Sequence, residues 1–474
     1  MHISCINSAE MERVEGRYLT SHDIVFYNNK KMTDAREEID MKKETKFLAI
    51  LFVLVLLGVF GLEFAKLAEL MQEEYHVVSS EINNKESDVT SEEAFADETM
   101  VCETDAAEAT EEEVVKETFQ EIIETVELLA VGDNLIHEGL YKTGMNSSGE
   151  WNYDHVYANV ADEIQAADLA IINQETIFIN DRTKISAYPR FGSPTEIGDS
   201  LVTTGFDVVL HASNHTVDKG AEGAWDTLNF WKEKHPEITV LGINESEEEQ
   251  NTVDVVECNG IRFAMLNYTY GLNGLPMPKD QPYLVNLLDK EKMTEDIAKA
   301  KEISDMVVVF LHVGDEYVYQ PSETAKQWVD FLLEQGVDIA INAHPHVLEP
   351  YTMLTREDGH QMLVYYSVGN FASTQDRVPR LLGGMAKITI EMRIHEEGKD
   401  FTIKDYTLEP LVCHWNYRTM EFGVYMLDDY TEEMAAGHGI HRASDEEFSV
   451  QVLRDLYEKI MNTEVTPAKG KLPD

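Results

Sequence analysis

Between residues 126 and 346 the chain repeats one pattern: four to six apolar residues, rich in Val and Ile, ending in Asp, Asn, Glu or His. Val126–Val131 runs into Gly132-Asp133-Asn134, with His137 one turn further on. Asp168–Ile172 runs into Asn173-Gln174-Glu175, and Asp207–Leu210 into His211-Ala212-Ser213-Asn214-His215. Met306–Leu311 runs into His312-Val313-Gly314-Asp315-Glu316, and Val337–Ile341 into Asn342-Ala343-His344-Pro345-His346. Short apolar runs without alternation predict strands buried on both faces, as in a parallel sheet. Open α/β sheets gather their chemistry outside the carboxyl ends of such strands.

The segments between these runs carry helical spacing. Helices are predicted over Tyr153–Ala167, over Ala221–His235 (Trp225, Leu228 and Trp231 on one stripe), over Asp289–Ser304 and over Ser322–Gln335. The last is the clearest, with Ser322 at the N-cap, an apolar face of Trp328, Phe331 and Leu332, and Gly336 past its end. Further strands are expected at Ile238–Ile243, Ile261–Asn267 and Met362–Tyr366. From Ala386 the period changes to alternation, at Ala386–Met392 and Phe401–Tyr406, which predicts antiparallel strands. Beyond about Asn416 the pattern fades, apart from a closing helix at Glu446–Met461. The reading is α/β, with two packed sheets flanked by helices.

Phe47–Leu62 is a run of sixteen uncharged residues preceded by Lys42, Lys43 and Lys46. A spanning helix takes about 20 apolar residues, and the basic flank places its N-terminal side in the cytoplasm. An uncleaved anchor over residues 47–65 is favoured over a cleaved signal peptide. The expected organisation is a cytoplasmic segment 1–46, the anchor, an acidic linker 66–125, a domain 126–415 outside the cytoplasm, and an extension 416–474. Met41 resembles the start of an export signal, so residues 1–40 are read as an upstream extension. The stretch Glu73–Glu127 holds 19 Asp and Glu against two Lys and has no Pro or Gly, which predicts a disordered, self-repelling spacer.

Over its 474 residues the chain has 88 acidic and 38 basic residues, a net charge of −50. That argues against nucleic acid as a partner, because phosphate binding needs a basic face. It leaves an anionic substrate open, since a metal ion reverses the local sign. The four cysteines show no CxxC spacing; Cys258 and Cys413 fall in the globular part, either as a pair or as isolated thiols.

Several strand-end acids, amides and imidazoles suit a metal-dependent phosphoesterase, whose two ions sit about 3.5–4 Å apart and clamp the attacking and leaving oxygens. Asp133, Glu175, Asn214, His312, His344 and His346 are the candidate metal ligands. Pro345 is expected to bend the chain so that the rings of His344 and His346 converge. His215 is the candidate acid, oriented by Asp218, and Glu316 is a further catalytic candidate. Asn173, His137, Tyr317 and Asn370 are assigned to substrate. His211 reads as a core histidine, and His438 and His441 as incidental. Arg377 and Arg380 follow the Asn370 loop, where a carboxylate contact competes with an ordinary surface role.

Six ordered motifs carry a family resemblance: Gly132-Asp133-Asn134, Asn173-Gln174-Glu175, Asn214-His215-Thr216-Val217-Asp218-Lys219-Gly220, His312-Val313-Gly314-Asp315-Glu316-Tyr317, His344-Pro345-His346-Val347 and Tyr366-Ser367-Val368-Gly369-Asn370-Phe371. From about Val126 to Ser373 the chain resembles the CapA family, the poly-gamma-glutamate capsule biosynthesis group of the calcineurin-like metallophosphoesterases. The resemblance implies a four-layer α/β/β/α sandwich. It also implies an envelope protein acting on an anionic polymer or its precursor, beside other membrane-bound capsule synthesis or export proteins. A metal-dependent hydrolase or transferase is the expected activity, with a divalent ion such as manganese, iron or zinc. A non-catalytic polymer-binding or export component and a general extracytoplasmic phosphoesterase are the alternatives. Two motifs depart from the superfamily. Asp133 is followed by Asn134-Leu135 instead of x-His, and Asn173-x-Glu175 stands where Gly-Asp-x-x-Asp is usual. The number of ions and the bond cleaved therefore stay open.

Overall fold

The apolar runs become inner strands of two sheets. The computed structural model describes residues 122–472 except 146, 147 and 397, all within the unit Val114–Asp474. The expected anchor, the Met41 start and the linker up to residue 121 lie outside the described residues. Among the described residues no helix is long and apolar enough to cross a membrane.

In chain order the strands are β1 (Ile122–Asn134), β2 (Leu169–Asn173), β3 (Val208–Leu210), β4 (Thr239–Leu241), β5 (Asp254–Cys258), β6 (Ile261–Thr269) and β7 (Met306–His312). They continue as β8 (Ile339–Ala343), β9 (Leu348–Thr355), β10 (Gln361–Val368), β11 (Asn370–Ala372), β12 (Leu382–His395), β13 (Gly398–Asn416) and β14 (Glu421–Met426). One sheet runs β14-β13-β12-β1-β2-β3-β4, with β11 beside the end of β1; the other runs β5-β6-β7-β8-β10-β9. Strands β1 to β4 are parallel, and so are β6, β7, β8 and β10. Antiparallel strands close both sheets: β12, β13 and β14 on the first, β5 and β9 on the second.

Register shows why the second sheet reads as continuous apolar sequence. Met265, Val308, Ile339 and Leu363 lie side by side across four strands and pack into the core shared with the first sheet. The next row, Leu266, Val309, Ala340 and Val364, packs on the other face against Ile297, Val329 and Leu332 of the covering helices. Tyr157, Leu201, Phe206 and Trp231 belong to helices and loops packed on the first sheet. A full side-chain burial contributes about 1.5–3 kcal/mol, so two buried faces fix strand register strongly. The helix Glu323–Gln335 has its expected ends: Ser322 Oγ accepts from the Ala325 N–H at 3.1 Å, and Gly336 closes it at φ +82°. Such an N-cap contributes about 1 kcal/mol.

Several expectations are corrected. The helix expected over Tyr153–Ala167 is two short pieces, Asp154–Tyr157 and Ala161–Gln165; the break leaves Asn159 bonded to Tyr425 of β14. The first strand starts at Ile122, inside the expected linker, because β12 supplies pairing partners such as Ile394 and Met392 while Glu124 stays exposed. Residues beyond Asn416 pack into the domain: β14 pairs with β13, and the expected closing helix forms at Val450–Met461, where it buries Leu453 and Ile460. Of the two alternatives left open for Cys258 and Cys413, the structure has isolated thiols.

Candidate metal centre and its cavity

The centre forms where the carboxyl ends of β1, β2, β7 and β8 meet. Gly132 permits this approach, since an added Cβ would lie 1.9 Å from the Gly369 carbonyl oxygen. The Asp133 N–H then donates to that same oxygen at 3.0 Å. After β8 the chain does bend at Pro345, but the bend is made by positive φ at both histidines, +97° at His344 and +57° at His346. Each such non-glycine residue costs about 1–3 kcal/mol, so the surroundings must hold the loop. The Asn342 amide helps by donating to Val313 O (2.8 Å) and Tyr366 O (2.6 Å). The two rings end 6.0 Å apart, and His312 lies 4.9 Å from His344.

Asp133, Glu175 and His346 form a fully buried group whose ligand atoms lie within 4.8 Å of one another, and Glu316, His344 and His346 form a second such group. His346 Nδ1 is 2.9 Å from Asp133 Oδ2. The Asn173 amide donates to Asp133 Oδ1 at 2.7 Å and faces His312 Nδ1 at 3.3 Å. On its other edge His312 Nε2 is 2.8 Å from Asn214 Oδ1. Both Glu175 oxygens and His344 Nδ1 are buried without a hydrogen-bond partner. Three imidazoles, those of His215, His312 and His346, stand 3.8 Å from the Glu175 carboxylate. Buried polar atoms without partners are rare. A carboxylate left bare among imidazoles is the donor set a divalent cation takes, so these residues fit such an ion.

Burial pushes the Glu175 carboxyl well above its usual range; His346 opposes this and Asp133 adds to it. Burial alone would lower His346, but Glu175 and the Asp133 hydrogen bond outweigh it and lift the imidazole to about 9. His344 is pushed down to about 3, by burial and then by His346. Burial also holds His312 far below its usual value. His312 and His344 are thus neutral, the form that ligates metals.

Beside this group His215 Nδ1 sits 2.7 Å from Asp218 Oδ2. The same carboxylate oxygen accepts from the Phe191 N–H at 2.7 Å. The Phe191 ring meets His215 edge-on at 4.7 Å and His137 at 5.4 Å. His215, Asp218, Glu316, Asn214 and His346 open onto a cavity of about 910 Å3. Its outer wall includes His137, Arg190, Tyr317, Arg380 and Tyr417.

The predicted metal and catalytic residues therefore converge on one place. The four substrate candidates divide. His137 and Tyr317 line the cavity, and burial lowers His137 to about 4. Asn173 and Asn370 do not line it. Their amides are spent internally, Asn173 on Asp133 and Asn370 on His346 O, Gln375 and the Arg380 carbonyl, so they position the centre. Three contributors were missed: Asn273, which bonds Asn214 (3.1 Å) and lies 3.4 Å from His215; Tyr270, whose ring lies 4.6 Å from His344; and Phe191. All three sit in loops without a readable pattern, and only a tertiary contact brings them here. His211 is a buried core residue accepting from Trp231 Nε1 at 2.8 Å. His438 is also buried, 3.1 Å from the Cys413 carbonyl.

Residues 127–375 match the family described as Bacterial capsule synthesis protein PGA_cap. Capsule biosynthesis protein CapA of Bacillus anthracis is 28% identical over 231 residues, covering 47% of this chain and 54% of that protein. PGA biosynthesis protein CapA of Bacillus subtilis (strain 168) is 31% identical over 176 residues, covering 37% and 44%. The chain thus spans about half the length of these curated relatives. Among solved structures, 5'-nucleotidase from Candida albicans SC5314 aligns with 70% of this chain and 57% of that one, at 9% identity and a TM-score of 0.35.

Proposed function

Since this chain belongs to the bacterial capsule synthesis protein family PGA_cap, we propose that it acts in making or exporting an anionic capsule polymer of the poly-gamma-glutamate type, through metal-dependent hydrolysis or transfer. The observation that carries the chemistry is the buried Asp133–Glu175–His346 group, with both Glu175 oxygens unpartnered. Asp133, Glu175, His346 and His344 would hold a divalent ion, with Glu316 at the cavity side. When bound, such an ion supplies Lewis-acid polarisation of an anionic substrate oxygen.

The chain's own residues supply the rest. Asp218 fixes His215 through Nδ1, which leaves Nε2 facing the Glu175 side at 3.8 Å. That atom is placed to exchange a proton with a leaving group. Asn173 and Asn214 hold His312 from both edges, the outer-shell support that keeps metal sites in shape. The polymer class is supported by the name of the Bacillus subtilis relative, a PGA biosynthesis protein. A membrane anchor facing the domain outward is supported by the uncharged run Phe47–Leu62 and the lysines before it. Action beside other membrane-bound capsule proteins belongs to the same reading.

The test is to incubate the full chain with poly-gamma-glutamate of defined length, and separately with a phosphomonoester, with and without chelator. Polymer length and released phosphate are measured for the parent and for His215→Gln. Metal-dependent product formation that His215→Gln loses is the expected result. Polymer binding with no product under any metal would replace this reading by a non-catalytic binding or export role.

A further inference from the structure

The described residues include ten arginines. Arg182, Arg262, Arg356, Arg377, Arg393 and Arg454 each meet a carboxylate within 4 Å. The other four, Arg190, Arg380, Arg418 and Arg442, have no carboxylate partner among the described residues. In a chain with 88 acids and 38 bases, an arginine without an acid is the exception, and two of the exceptions share one place. Arg190 and Arg380 line the cavity beside the centre. Arg418 follows the lining residue Tyr417, and Arg442 precedes the lining residue Ala443.

Arg380 is also held in shape. Its guanidinium stacks 3.5 Å over the Tyr317 ring. Tyr317 has φ +67°, donates its N–H to Pro345 O at 2.8 Å, and lies face-on to His346 at 6.0 Å. Stacking occupies the face of the guanidinium and leaves its N–H edge for a planar anion, which it takes in bidentate fashion. The acids on the same wall are largely engaged. Asp218 is bonded to His215 and Phe191, and Glu316 groups with His344 and His346; Asp376 remains exposed. At about 910 Å3 the cavity is near the upper end of small-ligand sites, roughly 300–1,000 Å3, with room for more than one repeat unit of a chain.

We propose that Arg380, stacked on Tyr317, and Arg190 form a carboxylate-binding site that holds successive carboxylates of a polyanionic chain beside the metal centre. This rests on the capsule-polymer reading above, which makes carboxylates rather than phosphates the recognised anion.

The test measures binding of fluorescein-labelled hexa-gamma-glutamate to the full chain by anisotropy, at fixed ionic strength. Inorganic pyrophosphate and the neutral gamma-glutaminyl hexamer are the comparison probes. Arg380→Ala and Arg190→Ala are each expected to weaken hexa-gamma-glutamate roughly 10- to 100-fold, the effect of losing a hydrogen bond to a charged group. Arg380→Lys, which keeps the charge but not the stack, falls between; Arg356→Ala, paired with Asp358, binds as the parent does. Thermal melts of each variant separate lost binding from lost folding, and Arg190→Ala tests the site independently of Arg380. Parent-like binding by both alanine variants, or equal binding of the neutral hexamer, overturns the arginine site and leaves the capsule reading intact. A parent that ignores hexa-gamma-glutamate but binds pyrophosphate through Arg380 overturns the carboxylate assignment and the polymer reading together.

Discussion

Replacing Glu175 by Gln separates the stability of this domain from its chemistry. The side chain is 0% exposed, its two oxygens have no hydrogen-bond partner among the described residues, and the imidazoles around it stop at 3.8 Å. A buried polar group left unsatisfied costs about 1–3 kcal/mol. Gln keeps the volume, cannot ionise, and brings an amide that His215 Nε2 can accept, since Asp218 takes its Nδ1. The metal-free Glu175→Gln chain is therefore expected to be more stable by about 1–3 kcal/mol. With an unfolding entropy of roughly 2.1 cal/mol/K per residue, that is a rise in Tm of roughly 1–4 °C for a domain of this size. Metal affinity moves the other way, by at least about 10- to 100-fold, the loss seen even for groups one shell away from an ion. Calorimetry in chelator gives the first quantity and metal titration the second. A variant that is less stable without metal, or that binds metal as tightly as the parent, would refute the assignment of Glu175 as a ligand held at a cost to the fold.

Other perturbations probe separate parts of the account. Asp218→Asn removes the carboxylate that orients His215; turnover should fall roughly 100-fold or more with metal content unchanged, as steady-state kinetics and elemental analysis would show. Gly132→Ala drives a methyl to 1.9 Å from Gly369 O and should cost about 3 kcal/mol or more, measured by denaturant unfolding. Glu349 is buried with neither oxygen bonded, and burial, then Asp315, raises its carboxyl well above the usual range. The folded state therefore keeps this proton longer than the unfolded one. Its stabilising contribution is complete below about pH 4.3 and is lost as pH rises towards the folded value. Tm should fall less steeply from pH 5 to 8 in Glu349→Gln than in the parent, and equal slopes would rule this out.

The inner strands were legible because their residues are buried on both faces, which removes polar alternation and leaves only apolar character. Edge strands carry no such mark. In β5 only partly buried and exposed residues occur, and β9 turns outward after Pro350. The long helix Glu323–Gln335 was legible at both ends because its caps are local chemistry, whereas the break after Tyr157 depends on a distant strand. The same contrast holds at the centre. Asp133, Glu175, His312, His344 and His346 were found because each follows an apolar run, and parallel strands deliver their ends to one edge. The sequence could not tell that Asn173 and Asn370 are spent on Asp133 and His346, since an amide that touches substrate and one that braces a ligand look alike in a motif. Arg380 owes its place to stacking on Tyr317, sixty-three residues away in the chain.

The central claim is that this centre holds a metal ion. Elemental analysis of the purified full chain, beside the His344→Ala/His346→Ala double variant, addresses it most directly. Stoichiometric divalent metal in the parent and its loss in a variant that still folds is the predicted result. A folded parent that takes up no manganese, iron or zinc, even after loading, would contradict it.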